Sequence, residues 1–246
     1  MPYFNADALQ RQLSQNYTIE TLQDSSAGAF QFFKQIVTNP QMQRTLIRLG
    51  VHGPLAVSGD TFYMEYNYKL FRWEPGYTEW RDTGQEETVE LSREIAWKDL
   101  KLAVSGDTVY IGKRDGHLVV SFDKGDNWID LTPVLPFLVK VFKDIVVAGS
   151  TVYVATDAGI ITSDDGRTWR VVTDPQDTNL IMEHLTFDGI TLYGITDKTG
   201  IYHLESGSWK QVVSDAPDNV TSLAVDANTI YVGTQDRGML HFTLED

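Results

Sequence analysis

Four aspartates sit just ahead of a glycine in tight polar turns. They are Asp115 in Lys113-Arg114-Asp115-Gly116, Asp157 in Thr156-Asp157-Ala158-Gly159, Asp197 in Thr196-Asp197-Lys198-Thr199-Gly200 and Asp236 in Gln235-Asp236-Arg237-Gly238. Carboxylates repeated in this way make a ring that can take a cation or a polyhydroxyl ligand. Arg114 and Arg237 in the same turns, with Arg93, offer guanidinium forks for a carboxylate. Tyr66 and Tyr68 occupy the matching turn of an earlier stretch and offer faces for a sugar or a peptide. Turn chemistry accounts for each of these acids without a ligand, because Asp before Gly is what such hairpins use. The set is therefore a candidate ligand rim, and spacing assigns no catalytic pair within it.

Other chemistry is sparse. His52, His117, His184, His203 and His241 each stand alone on their stretch, with no metal-ligand spacing. No phosphate-binding glycine loop, dinucleotide fingerprint or nucleophile elbow is present. The chain has no Cys, which excludes disulfides and thiolate sites. No catalytic residue, cofactor or metal site is therefore expected.

The rim residues need elements to position them, and the chain supplies these by repetition. Five anchors recur: Ser58-Gly59-Asp60-Thr61-Phe62-Tyr63, Ser105-Gly106-Asp107-Thr108-Val109-Tyr110, Ala148-Gly149-Ser150-Thr151-Val152-Tyr153, Asp188-Gly189-Ile190-Thr191-Leu192-Tyr193 and Asp226-Ala227-Asn228-Thr229-Ile230-Tyr231. Successive tyrosines are 47, 43, 40 and 38 residues apart. A period near 40 with strand patterning reads as four-stranded sheets repeated around an axis. In one repeat, Leu102–Val104 is the inner strand a, Thr108–Gly112 strand b, Gly116–Val120 strand c and Trp128–Leu131 strand d. The candidate rim then lies on the b–c turns. It shares that end with the long d–a connections at 83–97, 132–142, 174–184 and 214–221, of which Pro133–Val139 is the most apolar.

The c–d turns carry a second pattern. Ser121-Phe122-Asp123-Lys124-Gly125-Asp126-Asn127-Trp128 and Thr162-Ser163-Asp164-Asp165-Gly166-Arg167-Thr168-Trp169 both read S/T-x-D-x-G-x-T/N-W, with their tryptophans 41 residues apart. The hydroxyls of Ser121 and Thr162 and the carboxylates of Asp123 and Asp164 are expected to accept turn N–H groups. Gly125 and Gly166 are expected to take positive φ, and Trp128 and Trp169 to drop into the core. Thr168 completes the second copy. Glu205–Trp209 and Trp73–Trp80 keep only parts of the pattern.

This motif resembles the Asp box, or BNR repeat, of the sialidase-like β-propellers. The likeness covers about residues 51–246 and extends to the broad group of bacterial Asp-box proteins, photosystem II assembly-factor-like propellers included. It implies an all-β propeller of about five four-stranded blades, with the Asp boxes bracing the sheets on the end opposite the usual binding face. Sialidases use an arginine triad with a Tyr nucleophile and acidic partners, but the Arg ahead of the first repeat that marks them is missing here.

Residues 1–50 read as a mostly helical appendage. Asn5 caps a helix bearing Leu9 and Leu13, Phe30, Phe33 and Val37 stripe a second, and Asn39-Pro40 starts a third. Tyr17–Leu22 alternates as a strand. The last repeat stops after strand c, so Tyr17–Leu22 is a candidate to pair with 238–244 and close the ring.

The 246 residues, 42% hydrophobic, can bury a sizeable core. The formal charge of −14 disfavours nucleic acid and anionic membranes as partners. No apolar run is long enough to span a bilayer, and the start shows no leader pattern, which favours the cytoplasm. The expected role is a non-catalytic binding or scaffolding module recognising a protein or a saccharide. The alternative is a carbohydrate-active enzyme with its site at the channel mouth.

Overall fold

The computed structural model describes residues 54–66, 68–87, 99–196, 200–226 and 228–244. The helical appendage and the closing strand expected within residues 1–50 lie outside them. The chain divides into two compact units, 1–89 and 90–246.

Among the described residues the first unit holds one antiparallel sheet in the order β1 (Leu55–Ser58), β2 (Thr61–Tyr66), β3 (Lys69–Trp73) and β4 (Arg81–Glu86). Its aromatic crowding is largely core. Phe62 and Trp73 pair across the sheet with centroids 5.6 Å apart, and Tyr63 is fully buried. Trp73 donates its indole N–H to the Tyr77 carbonyl at 3.1 Å, and the Arg81 guanidinium lies 4.1 Å from the Tyr77 ring centroid.

Among the described residues the second unit holds four sheets, each built from consecutive strands. They are β5 (Lys101–Ser105) to β8 (Ile129–Asp130) through β6 (Thr108–Gly112) and β7 (Leu118–Ser121); β9 (Phe142–Ala148) to β12 (Arg170–Val172) through β10 (Thr151–Thr156) and β11 (Gly159–Ser163); β13 (Met182–Phe187) to β16 (Ser208–Val213) through β14 (Leu192–Thr196) and β15 (Gly200–Glu205); and β17 (Val220–Asp226), β18 (Thr229–Thr234) and β19 (Gly238–Thr243). The all-β class and five antiparallel sheets match the sequence expectation, and the last sheet stops at three strands among the described residues.

Short anchors make the hairpins. Ser105 pairs with Thr108 and Ala148 with Thr151, leaving two-residue turns led by Gly106 and Gly149 at φ 57° and 65°. That left-handed geometry suits glycine and matches the right-handed twist of the flanking strands.

The inner strands β5, β9, β13 and β17 neighbour one another in that order. The sheets between them bury both faces, so β10, β11 and β14 read as nearly continuous β-branched and apolar runs. One core joins Tyr110, Leu118 and Val120 to Ile145, Val152, Val154 and Ile161 of the next sheet. The next joins Ala155 and Ile160 to Met182, Leu192 and Trp209. The last joins Tyr193, Ile195 and Ile201 to Ile230 and Val232. The anchor tyrosine thus faces the following sheet in repeat after repeat.

Candidate functional site

Three of the b–c turns share a lock that the sequence reading missed. Thr156, Thr196 and Thr234 end their b strands, each more than nine-tenths buried. Each hydroxyl donates to the carbonyl of the glycine that starts strand c: Thr156 to Gly159 at 2.7 Å, Thr196 to Gly200 at 3.1 Å and Thr234 to Gly238 at 2.9 Å. The signal was in the chain, as a Thr three or four residues ahead of a Gly in each turn.

Opposite each of these threonines the inner strand carries one extra residue. Thr156 pairs with Phe142 but Ala155 with Asp144, so Lys143 is bulged out. Glu183 is bulged between Met182 and His184, and Thr221 between Val220 and Ser222. The second sheet has Gly112 where the others have Ala155, Ile195 and Gly233, and its β5–β6 register runs through unbroken. A Cβ on Gly112 would sit 2.5 Å from the Phe142 ring carbon Cγ. Bulges re-aim side chains at sheet ends. Here they bring Lys143 and Glu183 of adjacent sheets together, with Nζ 2.9 Å from both carboxylate oxygens. Asp144 bridges the same two strands, its Oδ2 accepting the Leu185 N–H at 2.9 Å.

The turns also clip to the d–a loops. Asp157 N donates to the Val141 carbonyl at 3.0 Å, and Gln235 N to the Asn219 carbonyl at 3.1 Å. Asn179 donates its side-chain amide to the Ala158 carbonyl at 3.2 Å. Gly116, at φ 91°, lies so close to Val139 that a Cβ there would meet its carbonyl oxygen at 2.5 Å. Turns and loops of this unit therefore form one end, as the repeat pattern requires.

The candidate rim residues stand differently within it. Asp157 is committed to structure, with Oδ1 accepting the N–H groups of Lys140 at 3.0 Å and Val141 at 3.1 Å. Asp115 accepts the His117 N–H at 3.1 Å and stays exposed. Arg114 is buried at 6% exposure, so it belongs to the body of the turn. Asp236 and Arg237 are exposed, and the Arg237 N–H donates to the Thr234 hydroxyl at 3.0 Å. Tyr68 takes φ 64° in the β2–β3 turn of the other unit. Asp197, Arg93 and the side chain of Tyr66 lie outside the described residues. Among the described residues no group of three or more acids or histidines is placed to hold a metal ion.

The c–d turns brace themselves, with one correction. In the first, the Ser121 hydroxyl donates to Asp123 Oδ1 at 2.7 Å and accepts the Gly125 N–H at 2.7 Å. Asp123 accepts the Asn127 side-chain N–H at 2.6 Å and its backbone N–H at 2.8 Å. These bonds, the Asn127 amide first, hold the Asp123 pKa down at about 2.

In the second turn the bracing pair is Ser163 and Asp165, not Thr162 and Asp164. Asp165 Oδ1 accepts the N–H groups of Arg167 and Thr168, both at 2.7 Å, and the Ser163 hydroxyl at 3.0 Å. The Thr168 hydroxyl reaches Oδ2 at 3.0 Å. The Thr168 and Arg167 backbone bonds hold Asp165 far below the usual carboxylate range. Register explains the shift. Val109 pairs with Ser121 and Val152 with Ser163, so Ser163 is the counterpart of Ser121 and this turn is one residue shorter. Adjacent strand residues face opposite ways, so a one-residue offset decides which hydroxyl reaches the turn. Thr162 instead donates to the Val152 carbonyl at 2.9 Å, and Asp164 accepts from Thr151 at 2.7 Å and Arg170 at 2.8 Å.

The tryptophans also differ. Trp169 is buried in the core with its indole N–H unpaired, whereas Trp128 is only half-buried and donates to the Gly125 carbonyl at 3.0 Å. In the fourth sheet a two-residue hairpin, Ser206-Gly207 at φ 52° and 81°, replaces the acidic brace, while Trp209 stays buried.

Sheets of three or four antiparallel strands, repeated with inner strands side by side, define a β-propeller fold. The chain belongs to the DUF6242 beta propeller domain family, whose model matches residues 74–239. No curated protein matches it.

Solved structures of similar fold include three natural proteins. The extracellular domain of a one-component system from B. thetaiotaomicron has a TM-score of 0.57 and 18% identity, over 76% of this chain and 25% of that one. YCF48 from Cyanidioschyzon merolae has a TM-score of 0.51 and 12% identity, over 78% of this chain and 66% of that one. BamB from Moraxella catarrhalis has a TM-score of 0.51 and 16% identity, over 77% of this chain and 57% of that one. The chain thus spans from a quarter to two thirds of their lengths. No helix among the described residues is long and apolar enough to cross a membrane.

Proposed function

We propose that this chain is a non-catalytic binding or scaffolding propeller that recognises a protein or a saccharide on the end built from its b–c turns and d–a loops. The observation that carries this reading is the use of Asp157. Its carboxylate is spent on the N–H groups of Lys140 and Val141, so it shapes the loop that faces outward. A carboxylate holding two backbone donors is a poor base or nucleophile, and a good device for fixing a presented surface. The same logic assigns the opposite end a bracing role. The Ser121–Asp123–Asn127 network has the form of an Asp box, which supports kinship with sialidase-like and photosystem II assembly-factor-like propellers.

Two measurements test the function together. Biotinylated chain is used to capture partners from native lysate, identified by mass spectrometry, and the purified chain is screened on a glycan array. A partner or glycan retained by the wild type and lost on Asp236→Ala or Arg237→Ala supports the reading. Turnover of an aryl glycoside that Asp157→Asn abolishes would replace it with the carbohydrate-active alternative.

A further inference from the structure

We infer that the Pro133–Leu138 segment is a ready-made ridge for an extended apolar protein segment carried on a basic background. The inference rests on the binding end proposed above and names the chemistry of its partner. The 3-10 turn Thr132–Val134 ends at Leu135, which takes extended angles of φ −70° and ψ 146°. Burial alternates along the segment from Val134 to Val139. Leu135 and Phe137 pack onto the core, and Val139 is buried at 4% exposure. Pro136 faces out between Val134, 54% exposed, and Leu138, 75% exposed.

The ridge is held from below and on both sides. Leu131 is buried beneath its start, and Lys140 and Val141 are pinned by Asp157 beyond its end. Two prolines remove backbone freedom from it. A fixed apolar strip of this kind binds with little ordering cost. Val134, Pro136 and Leu138 stand exposed within five residues, an apolar grouping of the kind that marks contact sites.

Charge selects the partner. On the described turns and loops of this end the exposed acids are Asp99, Asp115, Asp177, Asp215 and Asp236, against the exposed bases Lys140 and Arg237. The whole chain carries −14. A basic partner is steered toward this surface and an acidic one is repelled.

The test uses three labelled nonapeptides and fluorescence anisotropy with the full chain. One alternates Leu or Phe with Lys or Arg, the second has Ser at every apolar position, and the third has Glu at every basic position. The first is expected to bind, to weaken at least tenfold against the Val134→Ser/Leu138→Ser double variant, and to weaken with added salt. Leu138→Asn alone, checked for an unchanged melting temperature, is the second variant.

Three results overturn the inference: no binding of the first peptide, equal binding of the Ser peptide, or equal binding by both variants. So does a dimer of the chain that the double variant dissociates, because a second copy would then be the occupant. A partner captured from lysate equally well by wild type and double variant leaves the proposed function standing and ends this inference alone.

Discussion

The Lys143 ammonium sits 2.9 Å from both oxygens of the Glu183 carboxylate, and each residue is the bulged-out position of its own inner strand. With side chains only 28% and 30% exposed, the pair is better shielded than a surface ion pair. Lys143→Met and Glu183→Gln should each destabilise the chain, and the double variant should recover part of the loss. A double-mutant cycle in urea should give a coupling of about 1 kcal/mol. Strict additivity would mean that the pair does not join the sheets.

The threonine lock predicts a graded effect. Thr156→Val keeps the shape and removes the hydroxyl that donates to Gly159, leaving a carbonyl short of a donor in a buried turn. The expected cost is about 1–2 kcal/mol, with Thr156→Ser close to wild type. Chemical denaturation of both variants checks this. Equal stability of the Val and Ser variants would remove the hydrogen bond from the account.

Two glycines with nearly the same φ should respond differently to alanine. Gly149 is at φ 65° with open space around it, and Gly166 is at φ 67° with the Tyr110 hydroxyl 2.7 Å and the Phe122 ring 3.0 Å from where a Cβ would stand. Gly149→Ala should cost only the left-handed penalty, about 1–2 kcal/mol. Gly166→Ala should cost about 1–3 kcal/mol more from crowding. Melting temperatures of the two variants decide the matter.

Acid stability should depend on the c–d turns. Asp123 titrates at about 2 in the folded chain against 3.8 for a free side chain. Its contribution is therefore full above about pH 4 and is lost as the pH falls through about 2. Asp165 is held in the same direction by its backbone bonds. Asp123→Asn should flatten the acid limb of a stability–pH curve, and Asp165→Asn should do the same. Asp164→Asn should leave the turn intact, because Asp164 holds Thr151 and Arg170 instead. Asp164 is held low as well, by Arg170 first and Thr151 next, so it adds to the acid limb from outside the brace. An Asp164→Asn variant that speeds hydrogen exchange in the turn while Asp165→Asn leaves it unchanged would refute this assignment of roles.

The closing strand remains a proposal with a direct readout. Met239 on β19 is 72% exposed, whereas its counterparts Leu118, Ile160 and Ile201 are 0% exposed. If Tyr17–Leu22 pairs along β19, deleting it should speed hydrogen exchange in β18 and β19 and leave β10 and β11 unchanged. Unchanged exchange in β19 would exclude the pairing.

Much of this was legible in advance because the repeat is written in residue types that act locally. Glycine-led turns and a tyrosine at a fixed place in each repeat mark hairpins wherever they stand, so all five sheets appear at their expected places. The acid braces were legible as a composition but not as a register. Thr162 and Ser163 are chemically alike, and only the pairing of Val152 with Ser163 tells which one faces the turn. The bulges at Lys143, Glu183 and Thr221 depend on what lies across the sheet, which no single strand records. Burial of Arg114 is likewise set by the assembled turn.

Those bulges give the inner strands slack that can be removed by genetics. Deleting Lys143 alone would leave Asp144 opposite Ala155 and Phe142 opposite Thr156 with no odd residue between them, as β5 lies on β6, and the hairpin at Gly149 untouched. The Lys143 ammonium beside Glu183 would be lost while the sheet kept its count of paired residues. A family built on this repeat can therefore change what it presents at one end by single-residue insertions and deletions, at sites where the ladder already tolerates an odd member.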